Sequence, residues 1–427
     1  ADFLWLYKEG GPAPVRRGRI ARFVRGPGSD ILAAALLGAV TFSKPLYILL
    51  VGPLVLWQVG RRRLVRAFAT LAVFGAVTGG LFLVNAAVSG EFSYQGGYRK
   101  VFYTWFPFES SEMTFDTVGQ LTGTNKLDSD VYDPQDFGLR LLYNTGYFIV
   151  GRHAGLLPYF LPGLAALVLW LVRWREIRAW QVLTLLGVVG SIGVTLVILP
   201  YTWAGGGGPP GNRYFLGIYP ALFFLMPALD SVVPSLLIWV GGAVFTAQLV
   251  LNPYFTARFP WRNVDHGAVR ALPIELTMVN DLPIMLDRLR APLKLDGNPP
   301  MSLYLLDENA YPPEPAGLWI SGRRRADVVV RTNERLANMR LTLSSPVPNT
   351  VWVSFDGRTT TVTLKPGSPL DVTVATSGGV YCDGGWGYVL SVKTADGMVP
   401  KNVEAGSKDR RYLGVLVRLQ GTVRGGS

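Results

Sequence analysis

Two cations sit where an apolar chain rarely leaves one. Lys44 interrupts an apolar run at Thr41-Phe42-Ser43-Lys44-Pro45, and Arg213 follows the glycine-rich stretch 205–212, Gly-Gly-Gly-Gly-Pro-Pro-Gly-Asn. A cation within or beside lipid-facing sequence is costly and marks a functional position by default. A glycine-rich stretch entering a helix presents backbone N–H groups and the positive end of the helix dipole, both suited to phosphate. Arginine adds a bidentate grip on the same group. The chemistry these residues predict is the holding of a phosphorylated lipid headgroup at a membrane edge. The alternative is that each side chain snorkels to the interface or pairs locally.

Other candidates stand nearby in the chain. Arg152 and His153 fall at the end of an apolar run and are placed to complete the cationic cluster. Tyr98-Arg99-Lys100-Val101-Phe102-Tyr103-Thr104-Trp105-Phe106-Pro107-Phe108-Glu109 mixes cations and aromatics, which suits either an interfacial belt or stacking on sugar rings, with Glu109 as a substrate contact. Asp116, Asp128, Asp130, Asp133 and Asp136 offer a base or a divalent metal site. Solvated turn residues are the simpler reading, because 128–136 lacks the glycine and glutamate spacing of an EF-hand. No cofactor is assigned and no metal residue is named. P-loop, HExxH, GxSxG and CxxC motifs are absent.

The elements that must position these residues are apolar runs over 30–57, 64–88, 155–172, 181–203, 213–229 and 231–251. Runs approaching about 20 residues with almost no charge predict membrane spans. The 427-residue chain is 49% hydrophobic and only 16% charged. Its net charge of +12 does not form one basic stripe. Arg16, Arg17, Arg19, Arg22 and Arg25 precede the first run, Arg61, Arg62, Arg63 and Arg66 separate the next two, and Arg173, Arg175 and Arg178 fill another short loop. Such loops are orientation signals and face the cytoplasm, so nucleic acid is excluded as a partner. Run 30–57 must then cross an even number of times, as a hairpin broken at Ser43-Lys44-Pro45. The same reasoning puts the loop at about 90–154 and the C-terminal tail outside. The single cysteine, Cys382, excludes a disulfide framework. Ala1 is not a start methionine, and the opening residues predict a chain lacking its own N-terminus.

From about residue 301 the periodicity changes to two. Short β-branched runs bounded by Gly, Pro, Asn and Asp predict seven or more strands in a β-sandwich or jelly roll. The expected organisation is therefore an α-helical polytopic membrane domain over 1–255, a linker over 256–300 with helical character around 283–295, and an extracytoplasmic β-domain over 301–427. Trp319, Tyr381 and Trp386 read as exposed aromatics, which leaves carbohydrate binding open beside a plain packing role for that domain.

At these residues a family resemblance enters. Phe42-Ser43-Lys44-Pro45 with the apolar run after it resembles the "KP" hairpin of GT-C polytopic membrane glycosyltransferases, the class of protein O-mannosyltransferases and lipid A aminoarabinose transferases. Asn212-Arg213-Tyr214 through Pro220 resembles the late "RY" helix of the same group, and residues 409–415 resemble the end of a bacterial subgroup's C-terminal β-domain. The resemblance implies a GT-C-like C-terminal half in a bacterial cytoplasmic membrane. It implies transfer of a sugar from a polyprenyl-phosphate donor to an extracytoplasmic glycan, lipid or protein acceptor. Lys44, Asn212 and Arg213 would bind the donor phosphate, with Arg152 or His153 assisting and Tyr214 among the substrate-binding residues, and the catalytic acid would come from a loop upstream of residue 1. The competing expectation is a non-catalytic scaffold whose membrane part anchors a β-domain that binds envelope glycans or a partner protein.

Overall fold

The computed structural model describes residues 27–90, 92, 100–101, 110–121, 136–205, 211–227, 229, 231–282, 293–382 and 384–424. The helices, in chain order, are α1 Pro27–Ser43, α2 Val51–Gly60, α3 Leu64–Ser89, α4 Phe137–Val150, α5 Leu156–Tyr159, α6 Leu161–Val172, α7 Ala179–Ile198, α8 Val232–Leu251, α9 Pro253–Arg258 and α10 Pro400–Val403. Three of them, α3, α7 and α8, are long and apolar enough to cross a membrane. At about 1.5 Å per residue they run about 30–39 Å, whereas α6 reaches only about 18 Å. The described residues divide into two compact units. One comprises those within Ala1–Tyr132, Phe160–Leu199 and Tyr214–Gly242; the other comprises those within Asp133–Tyr159, Pro200–Arg213 and Ala243–Ser427.

In the first unit the chain breaks at Lys44, which is extended (φ −140°, ψ 91°) between Ser43 and a 3-10 helix over Pro45–Leu50. Pro45 has no N–H to give and disfavours helical backbone at the residue before it. Helices α1 and α3 approach closely at Gly38, where a Cβ would stand 2.9 Å from the Phe74 carbonyl oxygen. The Thr78 hydroxyl donates to the Gly38 carbonyl at 3.1 Å. Close crossing at a small residue with an interhelical hydrogen bond is how helices associate where lipid replaces water. Gln58 of α2 and Thr70 of α3 form a second buried polar pair at 3.1 Å. In α7 the hydroxyls of Thr184, Ser191 and Thr195 donate to carbonyls four residues back, so an apolar helix carries them without orphaned groups.

Several expected elements differ from those found. The described residues of 213–229 form no α-helix: 213–218 are turns, followed by a 3-10 helix over Tyr219–Leu225. Pro220 removes a donor there, and Gly217 admits the Tyr47 ring, whose hydroxyl lies 2.7 Å from where a Cβ would be. Run 155–172 is split at Phe160 (φ −147°, ψ 49°) into α5 and α6, with Pro158 and Pro162 on either side. Residues 137–150, expected within a loop, are the amphipathic helix α4. Of the helical stretch expected around 283–295, residues 283–292 lie outside the described set and 293–295 are strand.

A short antiparallel pair, β1 Lys100–Val101 with β2 Gln120–Leu121, lies in the first unit. The named strands of the second unit all pair antiparallel, with one isolated parallel bridge between Ser345 and Pro366. Strands β5 Leu318–Ser321, β7 Leu336–Ser344, β10 Leu370–Ala375 and β13 Leu413–Val423 form one sheet in the order β10-β7-β13-β5. The other has the order β3-β4-β6-β12-β8-β9, with β3 Leu293–Leu295, β4 Met301–Leu305, β6 Arg325–Thr332, β8 Asn349–Phe355, β9 Arg358–Leu364 and β12 Gly385–Thr394; β11 Val380–Cys382 flanks β12. The β8–β9 hairpin turns at Asp356-Gly357, both with positive φ (49° and 83°), as a two-residue hairpin turn requires. The inner faces share one apolar core that includes Val328, Val330, Leu341, Val353, Leu390 and Val415.

On the larger sheet, alternation fails at β6, where Ala326, Asp327, Val328, Val329 and Val330 are all buried. Its outer face is covered as well. Residue Gly387 of β12 lies 3.6 Å, at its would-be Cβ, from the Leu276 side chain, and the buried Cys382 thiol donates to the Leu276 carbonyl at 3.4 Å.

Candidate anion and hydroxyl site

The cover of that sheet is built on buried charge. Glu275 is fully buried: Oε1 accepts the backbone N–H groups of His153 at 2.7 Å and Ala154 at 2.9 Å, and Oε2 meets His153 Nδ1 at 2.6 Å. A Cβ on Gly151 would fall 2.3 Å from Oε1, so the turn 151–154 can wrap the carboxylate only with glycine there. Arg152, also buried, donates to the Leu272 and Arg270 carbonyls and to Asp327 Oδ2 at 3.0 Å. Asp327 additionally receives Arg270, Arg325 and the Ser391 hydroxyl. Burial works to raise the Asp327 carboxyl, but the guanidiniums of Arg152, Arg270 and Arg325 outweigh it and hold it below the usual range. Its neighbour Asp307 goes the other way: burial pushes it up to about 7, against the pull of Arg270, with the Asp327 charge adding to the rise. Arg152 and His153 are thus spent on protein partners rather than presented in an open cationic cluster.

A second polar group lies in the same unit, along 200–213. Asn144 of α4 fixes its base, donating to the Pro200 carbonyl at 2.9 Å and accepting Trp203 Nε1 at 3.2 Å and the Thr277 hydroxyl at 2.5 Å. The Arg213 N–H donates to the Ala204 carbonyl at 3.2 Å, and the Gly211 N–H donates to the His153 carbonyl at 2.6 Å. Gly205 has φ +100°, and a Cβ there would stand 2.5 Å from Arg213 Cγ, so the arginine stem passes over a residue without a side chain. Arg213 itself is exposed.

Asn212 is only 1% exposed, yet no described residue partners its Oδ1 or its Nδ2. A buried amide with both ends unmet is rare in folded proteins and asks for an explanation. Asp281 is held by the Thr202 hydroxyl and feels the charge of Arg213; burial is the larger influence and raises its carboxyl above the usual range. Its Oδ2 has no partner among the described residues. Together these groups offer a cation for an anion, an amide that can both give and take a hydrogen bond, and an acid that holds its proton unusually well.

Lys44 and Tyr214 belong to the first unit. The Lys44 ammonium lies 5.7 Å from the Tyr47 ring centroid, and the Tyr47 hydroxyl donates to the Tyr214 carbonyl at 2.9 Å. Glu109, Asp128, Asp130 and Asp133 lie outside the described residues. Asp136 pairs with Arg140 at 2.8 Å, and His266 pairs with Asp265 at 2.7 Å. Among the described residues no three His, Cys, Asp or Glu side chains are placed to hold a metal ion. Sequence reasoning missed Glu275, Asp281, Thr202 and Asp327. The only signal was that Glu275 and Asp281 interrupt an apolar stretch, since no motif links them to 151–154 or 200–213.

The β region has a separate open cleft of about 440 Å³, lined by Lys294, Asp296, Ser302, Tyr304, Arg331 and Asn333, among others. Trp319, Tyr381 and Trp386 are half-buried rather than exposed, and the Arg335 guanidinium covers Trp386 at 4.8 Å. Comparison with protein-family models, curated proteins and solved structures finds no match for this chain.

Proposed function

We propose that the chain is part of a multi-pass membrane glycosyltransferase of the GT-C kind, which moves a sugar from a polyprenyl-phosphate donor to an acceptor on the outer face of a bacterial cytoplasmic membrane. The observation that carries this reading is the exposed Arg213 beside the buried Asn212, whose amide has no partner among the described residues, in a chain whose described residues include three helices of membrane-spanning length. Arg213 takes the donor phosphate. In the reaction an acceptor hydroxyl attacks the anomeric carbon, its proton passes to a carboxylate, and the bond to phosphate oxygen breaks with the charge left on the lipid phosphate. Cations at that oxygen stabilise the leaving group as it develops charge. The β region lies on the outer side in this arrangement.

The test is binding of undecaprenyl phosphate to the full chain in lipid nanodiscs. We expect saturable binding that falls at least tenfold in Arg213→Ala, with the melting temperature unchanged. Equal binding by both proteins, or none by the unaltered chain, overturns the reading. A second reading, a membrane-anchored glycan-binding scaffold, is favoured by the cleft at Asp296 and Asn333, whose mixed donors and acceptors suit a neutral sugar. Glycan binding abolished by Asp296→Ala together with Asn333→Ala, without any lipid-phosphate binding, would select it.

A further inference from the structure

We infer that Asn212 reads a group of the transferred sugar itself, the hydroxyl (or, in an amino sugar, the acetamido) next to the anomeric carbon, and does not bind the phosphate. The inference rests on the polyprenyl-phosphate-sugar donor proposed above. A primary amide carries an acceptor and two donors. An ionised phosphate offers acceptors only, so it satisfies Nδ2 and leaves Oδ1 buried and unmet, at the full desolvation cost of that atom. A hydroxyl or a secondary amide both gives and takes, and it satisfies both ends at once. Among the described residues none reaches either amide atom, and the backbone N–H groups on both sides are spent, Gly211 on His153 and Arg213 on Ala204.

The expected specificity is strong, because a site built around a hydrogen-bonding group rejects a ligand lacking it more sharply than an apolar pocket rejects a lost methylene.

Three lipids separate the outcomes on the full chain in nanodiscs: undecaprenyl phosphate, undecaprenyl-phosphate hexose, and the 2-deoxy hexose analogue. We expect the unaltered protein to bind the hexose lipid at least tenfold more tightly than the other two. Asn212→Leu should erase that preference while leaving the affinity for undecaprenyl phosphate within twofold, and Arg213→Ala should weaken all three. Loss of undecaprenyl phosphate binding in Asn212→Leu would place the amide on the phosphate and overturn the inference while the donor assignment stands. An unchanged preference in that variant would make the amide structural and overturn it equally. Absence of binding of any lipid to the unaltered protein removes the proposed function as well. Should Asn212→Leu fail to fold, the 2-deoxy analogue decides alone: equal affinity for it and the hexose lipid sinks the inference.

Discussion

Glu275 ties the turn 151–154 to the segment that covers the larger sheet. Its carboxylate serves two backbone N–H groups and an imidazole, all buried. Glu275→Ala strips partners from three donors in a place water does not reach, and each costs about 1–3 kcal/mol. A loss of at least about 3 kcal/mol is expected in chemical denaturation of the purified protein, and a change under about 1 kcal/mol would contradict the geometry. Asp307 and Asp327 make a pH prediction of defined sign. A carboxyl raised to about 7 in the fold keeps its proton where the unfolded chain has lost it, so its contribution is greatest at low pH and disappears as pH rises from about 4 to about 7. Asp327 is depressed, so its contribution is present at and above the ordinary carboxylate range and fails only in stronger acid. Between pH 5 and pH 8 the melting temperature should therefore fall, and Asp307→Asn should flatten that dependence. At this scale the sequence was only partly legible. The types of Arg152 and His153 were visible, but a cation's partner lies wherever the fold brings it, and Glu275 and Asp327 are 122 and 175 residues away.

At the scale of elements, loops and crossings depend on missing side chains. Gly205→Ala would push a methyl into the arginine stem and force φ +100° on a residue that resists it. We expect lost lipid-phosphate binding with a near-normal melting temperature; retained affinity would show that the path of the Arg213 stem does not matter. Gly187 of α7 plays the matching role against α2, since a Cβ there would stand 2.7 Å from Pro53 Cγ. Gly187→Leu should separate those helices and lower thermal stability, read by melting in detergent. Strands were legible because β-branched alternation and turn residues repeat every few positions, and the break at Lys44 because Pro45 enforces it locally. Helix α4 was not, since its asparagine, arginine and glycine read as loop until Arg140 and Asn144 find buried partners. The helix expected at 213–229 failed because an apolar run fixes burial but not period, and prolines and close-packed glycines decided the rest.

At the scale of the whole molecule, the second unit draws on three separated stretches of chain, so the strands after residue 301 are not self-sufficient. Their larger sheet buries Asp327 and Val329 on a face that Arg152, Arg270 and Leu276 cover. Residues 301–427 expressed alone would leave that carboxylate without two of its guanidiniums and an apolar face open to water. We expect poor solubility or a melting transition well below that of the full chain; a soluble fragment of equal stability would contradict it. The lone thiol of the chain, at Cys382, then becomes a built-in reporter. Because its thiol lies beneath Leu276, alkylation by a small maleimide must wait for the cover to lift, and the labelling rate measures how often that happens. Agents that loosen the ion cluster should quicken the modification long before the strands themselves come apart.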